Sequence, residues 1–210
     1  MKRVLAFALL LGCVGCIEEL ADQKAVEPLF AEGDRVSEPA LVGAWASDGD
    51  EPFTLSIRAS DGDYTLTTSE RGRTGRPVAV RLGRIGGTLY WDATSLPGED
   101  HEGLREQHLL PLHSIARVRV EGDRLVVAPL RSDWVKAALA AASLDTPHAE
   151  IEGEPLLTGS TAELQQLLLA HGGDEDAFAE EAAPCGDSCQ TASSDVLVLH
   201  RVPESAVAGL

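Results

Sequence analysis

From Leu41 onward, hydrophobic and polar positions alternate in short runs that are typical of half-buried β-strands. Phe53, Leu55 and Ile57 alternate with polar neighbours, and Asp61-Gly62-Asp63 follows as a turn signal. The predicted strands are residues 41–45, 53–58, a return strand from Tyr64, 78–82, 88–92, one or two strands within 108–120, and 124–129. About seven short strands separated by frequent turns predict an antiparallel barrel or sandwich.

Two later segments have the period and caps of helices. Ser132 and Asp133 are predicted to cap an alanine-rich helix. Ser160 and Glu163 have the spacing of a capping box, and leucines follow on one face. A run of aliphatic residues near the C-terminus predicts a last buried strand. The predicted helices are residues 134–142 and 160–171, and the last strand is residues 195–202, so the expected class is mainly β with two helices.

The residues before this region have a different pattern. Lys2 and Arg3 precede an apolar run of eight residues, 4–11, and small residues and cysteines follow. This run is too short to cross a bilayer, which takes about 20 apolar residues. It fits the apolar region of a cleavable signal peptide, which is about 7–15 residues long. We therefore predict a signal peptide over residues 1–15.

Two cysteines lie at the end of this segment, and the residues before them resemble the lipobox of bacterial lipoproteins. In that family the cysteine is acylated on its sulfur and the chain is cleaved before it. Leu10-Leu11-Gly12-Cys13 matches the residue pattern better, but cleavage there leaves a signal of only 12 residues, below the usual minimum of about 15. We favour Cys16 as the lipidated residue, with Cys13 as the alternative. A plain secretory signal with two incidental cysteines stays open.

The lipoprotein resemblance implies attachment to a membrane through the N-terminal lipid, which is stable when two or more acyl chains are present. Neither cysteine is followed by Asp, and by the same resemblance this implies the outer membrane, with the domain facing the periplasm or the exterior. Residues 16–40 are polar and acidic and contain Pro28 and Pro39, which predicts a tether. Residues 41–210 are then expected to form a single β-rich domain.

The charge of the chain narrows the list of partners. The formal net charge is -17, from 17 basic and 34 acidic residues. Such a surface repels phosphate backbones, which argues against nucleic-acid binding. Acidity of this kind also keeps a domain soluble.

Cys185 and Cys189 form a close pair in a chain that is predicted to be exported. In an oxidising compartment such a pair is expected to form a disulfide. The closed loop is short, so its main effect would be to pin the segment before the last strand. A thiol–disulfide oxidoreductase would instead have Cys-x-x-Cys opening a helix.

Metal and catalytic signatures are weak. His101, His108 and His113 lie within 13 residues, but a metal site needs three or four convergent ligands, so we predict no metal and no cofactor. The acidic loop around residues 99–106 is expected to be solvated. No Gly-x-Ser-x-Gly motif or glycine-rich phosphate loop occurs in the sequence. We therefore predict that the chain is not an enzyme, with an envelope hydrolase of unrecognised site as an alternative.

Gly43-Ala44-Trp45 on the first strand is similar to the opening of lipocalin-like barrels. In those proteins the Trp closes one barrel end and an Arg near the last strand packs over it, so the resemblance implies that Arg201 packs on Trp45. The wider run over residues 41–171 resembles uncharacterised bacterial proteins of lipoprotein type, a resemblance that implies no activity.

Together these features predict a lipid-anchored cell-envelope protein of binding or structural type, with a small apolar ligand or an envelope protein as its possible partner. The alternative is a lipocalin-like carrier of a small apolar ligand, since an eight-stranded barrel can enclose one. A barrel interior filled by Trp45, Phe53 and Trp91 would argue against such carriage.

Overall fold

The computed structural model describes residues 23–48, 52–96, 111–178 and 196–206. In these ranges the chain forms twelve strands and two α-helices. The strands are β1 (Lys24–Ala25), β2 (Gly43–Ser47), β3 (Thr54–Ser60), β4 (Asp63–Glu70), β5 (Arg73–Thr74), β6 (Val78–Ile85), β7 (Thr88–Ser95), β8 (His113–Glu121), β9 (Arg124–Pro129), β10 (His148–Ile151), β11 (Glu154–Leu157) and β12 (Leu197–Val202). The α-helices are α1 (Ser132–Ala140) and α2 (Thr161–His171).

Eight of these strands form a closed antiparallel barrel in the order β2-β3-β4-β6-β7-β8-β9-β12. The last strand closes the ring because it pairs with β9 on one side and with β2 on the other. Closure removes the free edges that an open sheet would present. The predicted class, mainly β with two helices before a final strand, is therefore confirmed, and of the two alternatives the barrel is the one formed.

The strands follow one another around the ring in chain order, so the barrel is an up-and-down meander, and several of its connections are tight turns. Gly86 and Gly87 join β6 to β7 with φ of +58° and +87°. Positive φ at both central residues gives the turn a twist that matches the flanking strands, and glycine adopts it without steric cost.

Buried side chains form two hydrophobic cores, one on each face of the barrel wall. The first core lies inside the barrel and includes both buried tryptophans of the wall, Trp45 and Trp91. The remaining buried members of this inner core are Leu41, Phe53, Leu55, Ile57, Tyr64, Leu66, Val78, Val80, Leu82, Leu89, Ala116, Val118, Leu125, Val127 and Leu199. Side chains thus occupy the interior, as is usual for a barrel of eight strands.

The second core lies between the outer face of the barrel wall and the helices. It combines residues of β6, β7, β8 and β9 with the apolar faces of α1 and α2. The members from the wall are Ile85, Tyr90, Ile115, Val126 and Ala128, and those from the helices are Val135, Ala138, Leu164, Leu167 and Leu168. Because the wall is apolar on both faces at this point, the sequence of β9 is a continuous hydrophobic run without alternation of apolar and polar residues.

The two helices begin differently. The predicted capping box of α2 is confirmed, since the Glu163 backbone N–H donates to the Ser160 hydroxyl and the Glu163 carboxylate accepts from the Ser160 N–H at 2.8 Å. In α1 the predicted cap is wrong, because the helix begins at Ser132 and Arg131 occupies the N-cap position without a side-chain cap. The Asp133 carboxylate instead accepts from the Arg131 guanidinium.

A hairpin of β10 and β11 lies between the helices and was not predicted. Every residue of β10 is exposed, so its sequence has no alternation of apolar and polar positions to reveal a strand. The hairpin extends the sheet outside the barrel, because β11 pairs with β1 and β1 pairs with the start of β8.

Part of the segment that was predicted to be a tether belongs to the domain. Leu29 and Phe30 are buried in the outer core, and Arg35 makes a β-bridge to Gly83. An added Cβ on Gly83 would lie 2.2 Å from the Phe30 ring, so the ring rests directly on the backbone of β6. The tether prediction is therefore corrected for residues 23–40. The acidic residues and prolines of this segment are typical of a tether, and they surround the two apolar residues that are buried in the outer core. The predicted signal peptide and residues 16–22 lie outside the described residues.

Candidate functional site

Trp45 lies on β2 and is completely buried, with its indole N–H donating to the Leu41 carbonyl at 2.9 Å. Leu41 ends a 3-10 helix, Pro39–Leu41, that leads into the strand. The indole therefore ties this short helix to the barrel wall from inside.

Arg201, on β12, lies over the same ring, with its guanidinium carbon 4.2 Å from a ring centroid of Trp45. It also donates to the carbonyls of Val42 at 3.0 Å and Ala40 at 2.6 Å. A cation over an indole face is attracted by the ring quadrupole. The two residues that the resemblance singled out are thus in contact, and together they fasten the 3-10 helix to the last strand.

Gly43 completes this cluster. Its φ is +140°, and an added Cβ would lie 2.7 Å from Nη1 of Arg201. Only glycine combines that backbone conformation with room for the guanidinium. The Gly-x-Trp pattern therefore has a local physical cause. The glycine leaves space for the Arg201 guanidinium, and the tryptophan ring lies under that guanidinium.

A second group of polar residues joins the N-terminal segment to the outer wall of the barrel. The Asp92 carboxylate is fully buried and lies 2.6 Å from Nδ1 of His113. Its other oxygen accepts from the Leu29 N–H at 3.0 Å. Nearby, Arg35 donates to Asp63 at 3.1 Å. These contacts satisfy buried polar groups and hold the N-terminal segment in place, so we interpret the pair of Asp92 and His113 as a structural contact.

A cavity lies where β7 and β8 separate. Their ladder ends at the pair of Tyr90 and Arg117, although β7 extends back to Thr88 and β8 continues to Glu121. We call the resulting opening the wall cleft. It has a volume of about 700 Å³ and is lined by Glu38, Ala40, Arg84, Gly87, Thr88, Leu89, Arg117, Val118, Arg119, Val120, Val126, Ala128 and Val196.

Charged groups surround the wall cleft, and aliphatic residues of its lining such as Leu89, Val118 and Val126 are themselves buried. Arg84 pairs with Glu38 at 3.4 Å, and Arg119 pairs with Glu121 at 2.7 Å. Arg117 lies over the Phe178 ring, 5.1 Å from its centroid. No carboxylate partner of Arg117 is found in the described part of the chain.

Tyr90 follows Thr88 and Leu89, which line the wall cleft, and it interacts electrostatically with Arg117. Burial raises the pKa of the Tyr90 phenol above its ordinary value, while the positive charge of Arg117 and a hydrogen bond with Thr88 oppose that rise. The phenol is therefore neutral at physiological pH. Its oxygen would lie only 2.2 Å from a Cβ added to Gly172, so Tyr90 is packed tightly against the end of α2.

The 3-10 helix links the wall cleft to the cluster around Trp45. Ala40 lines the cleft, and its carbonyl accepts from Arg201. The cluster therefore positions one side of the cleft. Sequence reasoning did not find the cleft, because its lining comes from turns and strand ends that are distant along the chain and carry no shared motif.

Several predicted sites lie outside the described residues. These are the candidate lipidation residues Cys13 and Cys16, the candidate disulfide of Cys185 and Cys189, and His101 and His108. Within the described ranges, no group of three or more His, Cys, Asp or Glu is arranged to hold a metal ion. None of the helices described there is long and apolar enough to cross a membrane.

The fold thus defines a closed eight-stranded barrel with two helices packed on its outer wall and an Arg–Trp contact beside a 3-10 helix. Comparison of the chain with family models, with curated proteins and with solved structures gives no match.

Proposed function

We propose that this chain is a lipid-anchored cell-envelope protein and that its barrel is a binding module whose ligand site is the wall cleft. The observation that carries the binding role is the cleft itself, about 700 Å³ in volume, within the range of about 300–1,000 Å³ usual for small-molecule sites. It opens through the wall of a barrel whose interior is occupied by buried side chains.

This site differs from the interior cavity that a lipocalin-like carrier would need. Trp45, Phe53 and Trp91 are all buried in the inner core. Their packing argues against carriage of an apolar molecule inside the barrel. The wall cleft needs no rearrangement of this core to admit a ligand.

Lipid anchoring is supported by the N-terminal sequence alone, and it is tested separately from binding. Mass spectrometry of the mature N-terminus should find an acylated cysteine, and globomycin should block its processing. A Cys16→Ser variant should lose the acyl chains, whereas Cys13→Ser should keep them. Retention of acylation in Cys16→Ser would move the site to Cys13, and an unacylated secreted product would overturn the anchor.

Binding in the wall cleft is tested with Nile red, a neutral apolar dye that gains fluorescence in apolar sites. The test uses the full-length chain with Cys13→Ser and Cys16→Ser, so that binding is read without detergent. Ala40 is exposed and lines the cleft, so Ala40→Trp should fill the cleft and lower saturable dye binding at least tenfold. Ala31→Trp, at an exposed position outside the cleft lining, is the matched control. Equal dye binding by both variants would overturn the cleft as the binding site.

A further inference from the structure

The last residues of β8 have backbone groups that face the wall cleft. In an antiparallel sheet, every second residue of a strand bonds the same neighbouring strand. The Leu130 N–H donates to the Ile115 carbonyl at 2.9 Å, which continues the ladder of β9 with β8. By this alternation, the backbone groups of Val118 and Val120 face away from β9 and towards the side of β7.

β7 does not follow β8 to its end, so part of β8 is a free edge. The last pair of the ladder is Tyr90 and Arg117, whereas β8 continues to Glu121. Beyond that pair, the described residues contain no hydrogen-bond partner for the Val118 carbonyl or for the N–H and carbonyl of Val120. The free edge runs from Val118 to Glu121 and is about 13 Å long.

The surface that this edge presents to the wall cleft is polypeptide backbone. Leu89 and Val118 line the cleft, although their side chains belong to the inner core and only 7% and 4% of these residues is exposed. Val120 also lines the cleft and packs against that core. Unpaired N–H and C=O groups along a strand are a template for a further strand. A cleft bordered in this way fits an extended peptide.

The charges around the free edge indicate the kind of peptide. The cleft lining contains one carboxylate, Glu38, and three arginines, Arg84, Arg117 and Arg119, in a chain whose formal net charge is -17. Arg117 lies over the Phe178 ring and has no carboxylate partner in the described part of the chain. Because side chains alternate along a strand, Arg117 and Arg119 lie on the same face of β8. Opposite charges on neighbouring strands stabilise their pairing.

We propose that the wall cleft binds an extended acidic peptide, which adds as a strand antiparallel to the free edge of β8. This inference rests on the proposed use of the cleft as the binding site and names the chemical class of its ligand. The peptide residues that bond Val120 have their side chains on the inner face of β8. The residues between them have theirs on the outer face, beside Arg117 and Arg119. Acidic residues at every second position therefore complement the site.

The charge preference is tested by fluorescence anisotropy with fluorescein-labelled peptides of six residues, using the same full-length chain. A peptide in which glutamate and valine alternate should bind saturably. It should bind at least tenfold more tightly than the analogue with glutamine for glutamate, and the analogue with lysine should not bind. Equal binding of the glutamate and glutamine peptides would overturn the inference, as would the absence of saturable binding.

Methylation of the peptide nitrogens tests the strand pairing itself. When the glutamates lie beside the arginines, the valine N–H groups face β8 and the glutamate N–H groups face away from it. N-methylation of the valines should therefore weaken binding at least tenfold, whereas N-methylation of the glutamates should weaken it less than threefold. Equal losses from the two isomeric peptides would overturn pairing with β8.

Matched variants of the protein test the same two contacts. Val120→Pro removes the N–H at the free edge and keeps the pairing with β9, so it should weaken peptide binding at least tenfold. Val120→Ala keeps that N–H and is the control, and thermal unfolding checks that both variants fold. Arg117→Gln should abolish the preference for glutamate over glutamine, whereas Arg58→Gln, at an exposed position on β3, should retain it. Equal binding by Val120→Pro and Val120→Ala would count against the free edge.

The two proposals fail in different ways. If Ala40→Trp removes Nile red binding but no peptide binds, only the peptide inference is overturned. If Ala40→Trp leaves dye binding intact, the cleft is not the binding site and both proposals are overturned. Peptide binding that is detected only after Glu180→Gln and Glu181→Gln would identify the chain's own residues as the occupant and would overturn a separate peptide.

Discussion

Arg201 shows how one side chain joins parts of the chain that are distant in sequence. It contacts Trp45 through the ring and the 3-10 helix through two carbonyls. Sequence reasoning anticipated the contact of Arg201 and Trp45 from a resemblance. It did not anticipate the role of Gly43, because a glycine's φ and the space around it depend on its neighbours in the fold.

Gly43 and Arg201 should be energetically coupled. Gly43→Ala should destabilise the protein by about 1–3 kcal/mol, from the positive φ and the contact with the guanidinium. In an Arg201→Met background the same change should cost less by at least about 0.5 kcal/mol, because the guanidinium is gone. Urea unfolding measures all four proteins. Gly33→Ala, where an added Cβ meets nothing within 4 Å, is the control, and strict additivity would contradict the coupling.

Tyr90 should make stability depend on alkaline pH. Because burial raises the pKa of the folded phenol, the stability it contributes is complete below the unfolded tyrosine pKa of about 10. It is lost as pH rises through the folded pKa, because the unfolded chain ionises first. We expect the free energy of unfolding to fall as the pH rises above about 10, and to fall less in Tyr90→Phe. Urea unfolding across pH 8–11.5 checks this, and identical slopes in the two proteins would refute it.

Among the elements, those with a local signal were predicted and those without one were missed. The capping box of α2 depends on residues three positions apart, so the sequence reveals it directly. The β10–β11 hairpin is held by pairing of β11 with β1, a strand of two residues from the far end of the chain. No window of sequence around β10 contains that partner.

The capping box gives a prediction about α2. The Ser160 hydroxyl is the largest cause that lowers the pKa of Glu163, and the Ser160 backbone N–H is the next. Ser160→Ala removes the first and keeps the second, so the pKa of Glu163 should rise yet stay below its ordinary value. Loss of an N-cap side chain should also lower stability by about 1 kcal/mol. Carboxyl NMR titration and urea unfolding measure the two effects. Ser205→Ala, at an exposed position away from α2, should change neither.

For the whole molecule, the class of fold could be predicted but the extent of the domain could not. Alternation in the strands and the turn glycines predicted the antiparallel wall, because they depend on neighbours in sequence. The apolar pair of Leu29 and Phe30 has no periodic context, so it could not be distinguished from a tether. The wall cleft was equally hidden, since it exists only where two paired strands part.

Phe30 tests whether the N-terminal segment is part of the folded unit. Phe30→Ala should lower the free energy of unfolding by about 3–5 kcal/mol, the usual cost of removing a buried aromatic ring. If residues 23–40 were a tether, the change would have no effect. Ala31→Ser, at the exposed neighbouring position, is the matched control in urea unfolding.

The ring's position over Gly83 allows a sharper version of the same experiment. Gly83→Ala alone should be strongly destabilising, because its Cβ would lie 2.2 Å from the Phe30 ring. In Phe30→Ala the ring is absent, and the alanine methyl group partly fills the space it leaves. The double variant should therefore be more stable than the sum of the two single changes predicts, by at least about 1 kcal/mol. Additive losses would mean that Phe30 does not rest on β6 in solution, and the N-terminal segment would then have to be reassigned to the tether.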